Sequence, residues 1–282
     1  MITVAVQGRE ASFHYQAAQN FFADQEIHIL GFDTFAETFD ALTNKQADYA
    51  VAAVENSIHG AINEAYDLLR EHQLWICGEQ YLHIEQCLIG LPQATPETII
   101  DVYSHFAALS QCRRYLDAQL PQATRHVHPD TAGAVEDVKQ WNDPHKAAIA
   151  SAYAAKYYGL PVLVPNIETN HHNYTRFALL SRTQETPSEA TKTTILVELP
   201  GHVGALYQTL GIFAKHNLSL SMLTSRPIIG NPGSYQFIID VTANAQSDDF
   251  QAARKEITAA QNSLRVLGSY KSLNTIEQVT SA

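Results

Sequence analysis

The sequence predicts an α/β protein in two parts, an alternating strand–helix region over residues 1–182 and a smaller βαββαβ unit over residues 193–273. Short apolar runs recur in the first part between stretches whose apolar residues fall at helical spacing. The second part follows the order strand, helix, strand, strand, helix, strand, which is ferredoxin-like. Composition marks the boundary: residues 183–192, Thr-Gln-Glu-Thr-Pro-Ser-Glu-Ala-Thr-Lys, hold no large apolar side chain and read as a linker. Residues 274–282 remain as a tail.

Residues 2–6 are an apolar run that reads as a strand, after which Phe13, Ala17, Ala18, Phe21 and Phe22 share one helical face. Residues 27–32 read as a strand, and Phe35, Phe39 and Leu42 as a helix stripe. Residues 49–54 are a strand again, followed by Ile62, Tyr66 and Leu69 at helical spacing. The theme repeats with strands at 102–104, 147–150 and 175–180 and helices at 109–116, 131–141 and 152–158. Such alternation argues for a largely parallel sheet. In the smaller unit, residues 194–199, 218–224, 235–242 and 263–268 read as strands, and 206–215 and 250–260 as helices. Its sheet edges can pair with a second copy, so homodimerisation through this unit is expected.

Apolar residues make up 45% of the 282-residue chain and charged residues 17%, which excludes a disordered chain and supplies a real core. The formal net charge is −11 and no basic run offsets it, so nucleic acid and anionic membrane are poor partners. No run of 18 apolar residues is present, so no membrane span is expected. The start reads as a strand rather than an export signal, and Cys77, Cys87 and Cys112 are odd in number without ligand spacing. Reduced thiols in a cytoplasmic protein are the expectation. His126-Val127-His128 and His171-His172 lack a ligand pattern around them, so no metal is expected.

Five segments hold the polar side chains that chemistry needs. Gln7-Gly8-Arg9-Glu10-Ala11-Ser12 opens the first helix, where backbone amides attract anions. An ordinary turn with Ser12 near the cap reads the same way. Glu55-Asn56-Ser57-Ile58-His59-Gly60 follows a buried strand at the end where open α/β sheets bind ligands, or is a turn capped by Asn56 or Ser57. Ser104-His105-Phe106-Ala107-Ala108-Leu109-Ser110-Gln111-Cys112 runs from a strand end into a helix, with Ser104 at the turn. Taken alone, this segment is better read as a capping serine and a solvated glutamine. Asn173-Tyr174-Thr175-Arg176-Phe177-Ala178-Leu179-Leu180 is the most telling, because a Thr-Arg pair interrupts the start of an apolar strand. Arg176 offers a rigid fork for a carboxylate, and Thr175 a compact hydroxyl donor. An edge-strand threonine beside a surface arginine is the alternative. In the small unit, Pro200-Gly201-His202-Val203-Gly204-Ala205-Leu206-Tyr207 is a Gly-rich bend that lets a ligand approach backbone. Asn217-Leu218 and Thr224-Ser225-Arg226-Pro227 flank the next strand.

Taken together these segments resemble prephenate dehydratase in its form with a C-terminal ACT regulatory domain, over nearly the whole chain. The family's first motif, G-P-x-G-T-F-S, stands here as Gly8-Arg9-Glu10-Ala11-Ser12-Phe13-His14. E-N-S-x-x-G is intact at Glu55, Asn56, Ser57 and Gly60, and T-R-F at Thr175, Arg176 and Phe177. S-H-P-Q-A-L-x-Q-C keeps Ser104, His105, Ala108, Leu109, Gln111 and Cys112, with Phe106 and Ala107 in place of Pro-Gln. G-A-L is kept at Gly204, Ala205 and Leu206, and E-S-R-P appears with Thr224 for the glutamate. The resemblance implies a two-lobed, periplasmic-binding-protein-like catalytic domain over 1–182, with its second lobe at about 77–160, then the ACT domain. It implies that no chorismate mutase domain stands in front.

The implied reaction turns prephenate into phenylpyruvate with loss of water and carbon dioxide, with feedback inhibition by L-phenylalanine bound at paired ACT domains of a homodimer or homotetramer. No cofactor is expected, because the substrate ring is its own electron sink. The expected catalytic set is Thr175, whose hydroxyl meets the departing oxygen, with Asn56, Ser104 and Gln111 orienting it or the substrate. Glu55 is the back-up acid if burial raises its pKa. Arg176 or helix amides hold the side-chain carboxylate, and Phe177, Ser57 and Ser12 complete the substrate site. Gly204, Ala205, Leu206, Asn217, Leu218, Ser225 and Arg226 form the expected phenylalanine site. Two rivals remain: an arogenate dehydratase, and a non-catalytic amino-acid-binding sensor.

Overall fold

The computed structural model describes residues 1–199, 201–228, 235–260 and 263–273; Pro200 of the Gly-rich bend and the expected tail at 274–282 lie outside them. The chain opens with β1 (Ile2–Gln7), α1 (Phe13–Phe21), β2 (Ile27–Phe32), α2 (Phe35–Thr43), β3 (Tyr49–Asn56), β4 (Gly60–Ala61), α3 (Asn63–Glu71) and β5 (Trp75–His83). It continues with β6 (Cys87–Gly90), β7 (Asp101–Ser104), α4 (Phe106–Gln111), α5 (Arg113–Gln119), β8 (Thr124–Val127), α6 (Thr131–Trp141), β9 (Lys146–Ala150), α7 (Ala152–Tyr158), β10 (Val162–Val164) and β11 (Tyr174–Ser181). The smaller unit is β12 (Lys192–Glu198), α8 (Ala205–Lys215), β13 (Leu220–Pro227), β14 (Tyr235–Val241), α9 (Asp248–Ala259) and β15 (Ser263–Tyr270).

Three sheets result, in the orders β2-β1-β3-β11-β5, β10-β6-β9-β7-β8 and β13-β14-β12-β15. In the first, β1 pairs in parallel with β2 and β3, as strand–helix alternation demands. The second corrects the expectation of a largely parallel sheet. There β7 runs parallel to β8 and β9, but β6 runs antiparallel to both β9 and β10. That sheet is covered on both faces. Ile89, Ala148 and Ala150 pack with Val135 and Val138 of α6, while Leu88, Ala147 and Ile149 pack with Leu109 of α4 and Leu116 of α5. The third sheet is antiparallel throughout, and its strand order is the ferredoxin-like one.

The helix expected at 109–116 is two helices, α4 and α5, which meet at Cys112 (φ −94°, ψ 6°). By compactness, residues 1–62 join 81–177 in one unit, and among the described residues Asn63–Gln80 join 178–273 in another. Within the second unit, Lys192 Nζ donates to the buried Glu79 at 2.5 Å, and Gly268 lies so close to the Ile76 carbonyl that no side chain fits there.

Candidate active site

Side chains alternate between the faces of a strand, and β3 and β11 are neighbours. Asn56 of β3 and Thr175 and Phe177 of β11 turn to one face, where they line a cavity of about 460 Å³. Glu55 and Arg176, one residue along, turn to the other face and pair there, Nη1 to Oε2 at 3.4 Å. The cavity lies between the strand ends of the first sheet and the loops that lead into α4 and α6 in the second lobe. Its volume is ordinary for a small-molecule site.

The Asn56 amide sets the direction of the hydrogen bonds. Its Oδ1 accepts from the Ile58 and His59 amides at 3.0 and 3.1 Å. Nδ2 is thereby turned to Thr175 Oγ1 at 3.0 Å and Asn173 Oδ1 at 2.8 Å. Toward Asn56 the threonine oxygen is an acceptor, so its proton faces elsewhere. Among the described residues no acceptor takes that proton, and the hydroxyl is free to donate into the cavity. Thr175 is only 8% exposed, so bulk water competes poorly for it. Gln111 lines the same cavity, its Oε1 accepting from Asn173 Nδ2 at 3.4 Å. The fully buried Asn173 thus ties Asn56 to Gln111. Asn173 opens the Thr-Arg segment, and its place in the sequence alone does not reveal this part, which depends on partners far along the chain.

The altered first motif lines the same cavity. Ser12 caps α1, its Oγ accepting from Tyr15 N at 3.2 Å, and Ser12, Phe13 and His14 all line the cavity. The Phe13 and His14 amides, in the first turn of a nine-residue helix, find no acceptor among the described residues. Ala11 stands at φ +63°, a left-handed conformation that suits glycine and costs alanine about 1–2 kcal/mol. The His14 ring accepts from Ala53 N at 3.3 Å, and burial pushes its pKa down to about 4.

Several expected residues lie elsewhere. Ser104 is fully buried and donates to the Ile149 carbonyl at 2.6 Å, which links β7 to β9 and keeps it out of the cavity lining. Ser57 donates to the His172 carbonyl at 2.8 Å and accepts from Tyr174 N at 2.9 Å, fastening the start of β11 rather than facing a substrate. Arg176, at 1% exposure, is held on the far face with Glu55, so neither reaches the cavity as carboxylate holder or back-up acid. Glu55→Gln is therefore expected to leave kcat within about threefold of the parent while lowering stability by roughly 2 kcal/mol, read from kinetics and a thermal melt.

In the smaller unit a cavity of about 250 Å³ is lined by Gly201, His202, Ala205, Leu206, Tyr235 and Phe237 among others. Gly204, at φ +86°, makes the bend that starts α8 beside it. Leu218 belongs to the core of this unit, and Asn217 takes a left-handed turn (φ +55°) ahead of it. Ser225 is exposed and outside the lining, and Arg226 forks onto Asp67 of α3. None of these four is in the cavity lining, although Ser225 and Arg226 pair in register with Phe237 and Gln236 of β14, and Phe237 lines it.

Residues 4–185 match the family described as prephenate dehydratase, and residues 193–259 match the ACT domain. The bifunctional chorismate mutase/prephenate dehydratase of Escherichia coli K12 is 37% identical over 278 residues, which cover 97% of this chain and 72% of that protein. Among solved structures, the prephenate dehydratase of Arthrobacter aurescens in complex with L-Phe superposes with a TM-score of 0.82 at 29% identity, covering 95% of this chain and 90% of that one. A protein described as GqqA, a novel type of quorum quenching acylase, superposes with a TM-score of 0.84 at 31% identity, covering 96% and 98% of the two chains.

Proposed function

The chain belongs to the prephenate dehydratase family, with an ACT domain behind the catalytic region, and on that premise we propose how its residues carry out the reaction. As a dehydratase it is a lyase. Carbon dioxide leaves one ring carbon of prephenate, the electron pair moves through the diene, and hydroxide departs from the opposite carbon as the ring becomes aromatic. The group that needs help is the hydroxyl. Thr175, held as an acceptor by Asn56, aims its proton at the oxygen on which charge develops. A preorganised donor in a dry site contributes about 3–4 kcal/mol to such a step. Gln111 offers a second donor from the facing lobe.

The side-chain carboxylate is assigned to the free Phe13 and His14 amides at the start of α1, the other holder that sequence reasoning allowed. No lysine or arginine lines the cavity among the described residues. That suits the chemistry, because a cation on the carboxylate to be lost stabilises the ground state it must leave. Acyl hydrolysis, the activity named for the GqqA neighbour, needs a nucleophile beside a base. The recorded partner of the Thr175 hydroxyl is an amide nitrogen, which favours dehydration.

L-phenylalanine is the proposed feedback ligand, received by the small cavity whose walls include Tyr235 and Phe237. A second copy pairs through this unit, giving a homodimer or homotetramer. The proposed compartment is the cytoplasm; no helix among the described residues is long and apolar enough to cross a membrane. The single observation that carries the catalytic half is the one-way hydrogen bond from Asn56 to Thr175. The test is phenylpyruvate formation from prephenate, run beside arogenate, with and without L-phenylalanine. Faster turnover of prephenate, slowed by phenylalanine, is expected. Preference for arogenate, or indifference to phenylalanine, overturns the corresponding half.

A further inference from the structure

We propose that His14 is a substrate-binding residue of this site, a neutral Nδ1–H donor to a carboxylate oxygen of the substrate. The inference rests on the reading that the cavity takes prephenate. The motif that this segment resembles ends in serine at this position, where this chain has His14.

Four observations lead to it. His14 lines the same cavity as Asn56, Thr175 and Gln111. Its Nε2 accepts from the Ala53 amide at 3.3 Å, so that nitrogen carries no proton and the neutral ring bears its proton on Nδ1. The ring is held edge-to-face by Phe177 (centroids 5.0 Å, 87°) and Phe35 (5.6 Å, 70°), which fixes where the second nitrogen points. No acceptor for Nδ1–H is present among the described residues. A fixed, unpartnered donor on a cavity wall is the arrangement a ligand oxygen completes.

The neighbourhood says which kind of oxygen. The free Phe13 and His14 amides stand at the same helix start, so three uncharged N–H donors belong to residues that line one cavity. Burial holds the ring neutral, so it joins the two amides as a dipolar donor to the side-chain carboxylate. A serine hydroxyl at this point supplies a shorter donor. The imidazole reaches further and braces Phe177, so it sets how deep the anion sits.

Three variants separate the donor from the packing. His14→Asn places an amide N–H where Nδ1 stands, while His14→Gln reaches the Nε2 position and serves Ala53. His14→Phe keeps ring packing and serves neither. Relative to the parent, KM for prephenate is expected to rise about tenfold or more in H14F and H14Q, with kcat changed less, and to stay within about threefold in H14N. Thermal melts accompany the kinetics, and if H14F does not fold the H14N and H14Q pair decides. An unchanged KM in both H14F and H14Q, or equal KM values in H14N and H14Q, overturns the proposal. Failure of the parent enzyme to turn over prephenate is a different result, and counts against the reading of the cavity.

Discussion

Thr175→Ala is expected to lower kcat for prephenate by about a hundredfold or more with a modest change in KM. The hydroxyl proton has no acceptor in the protein among the described residues, so its whole hydrogen-bonding capacity is available to the reacting oxygen. An interaction made mainly as charge develops appears in kcat rather than in substrate binding. Loss of the hydroxyl also frees the Asn56 amide nitrogen from one of its partners, but Asn173 Oδ1 at 2.8 Å still holds it. The wall of the cavity therefore stays in place while the donor disappears. Near-parental turnover in this variant removes Thr175 from the mechanism.

Asn56→Asp is expected to be at least as damaging, with kcat/KM down by about a thousandfold. The substitution is nearly isosteric, and one carboxylate oxygen continues to accept from the Ile58 and His59 amides. The other oxygen now faces Thr175 as an acceptor. The threonine then donates into the protein instead of into the cavity. The new negative charge also repels a dianionic substrate, which raises KM. Because the damage passes through Thr175, the kcat of the Asn56→Asp/Thr175→Ala double variant is expected to fall little below that of Thr175→Ala alone. Fully multiplicative losses in kcat contradict the shared pathway.

Much of this site is legible in the sequence, for a physical reason. Thr175 and Asn56 are polar residues at the ends of otherwise apolar strands, and burial of a polar residue there needs a partner or a purpose. The expected residues that stand outside the cavity share one cause. Glu55 stands beside Asn56, and Arg176 beside Thr175, so each shares a segment with a cavity residue while facing away from it. Strand alternation predicts that opposition, but the pairing partner is 121 residues away in the chain and only the sheet register brings the two together. Ser104 deceives in the same way, since its acceptor, the Ile149 carbonyl, is 45 residues distant.

Three of the strands outside the expected set, β5, β8 and β10, have particular causes too. β5 carries Glu79 and Gln80 at its buried centre, which breaks the apolar run, and the lysine that balances Glu79 lies 113 residues on. β8 is an exposed edge strand with the sequence Thr-Arg-His-Val, and β10 is only three residues long. The smaller unit, by contrast, alternates cleanly around a single core, and its six elements fall in the expected order. Of its expected ligand residues only Ala205 and Leu206 line the cavity; Leu218 is in the core and Arg226 is occupied with Asp67.

The most direct measurement is the single-turnover rate of phenylpyruvate formation at saturating prephenate for Thr175→Ser and Thr175→Val. Serine keeps the hydroxyl and valine keeps the shape. A serine variant within about tenfold of the parent, with a valine variant a hundredfold or more slower, is the predicted result. Equal rates in the two variants would contradict a hydroxyl donor at the departing oxygen.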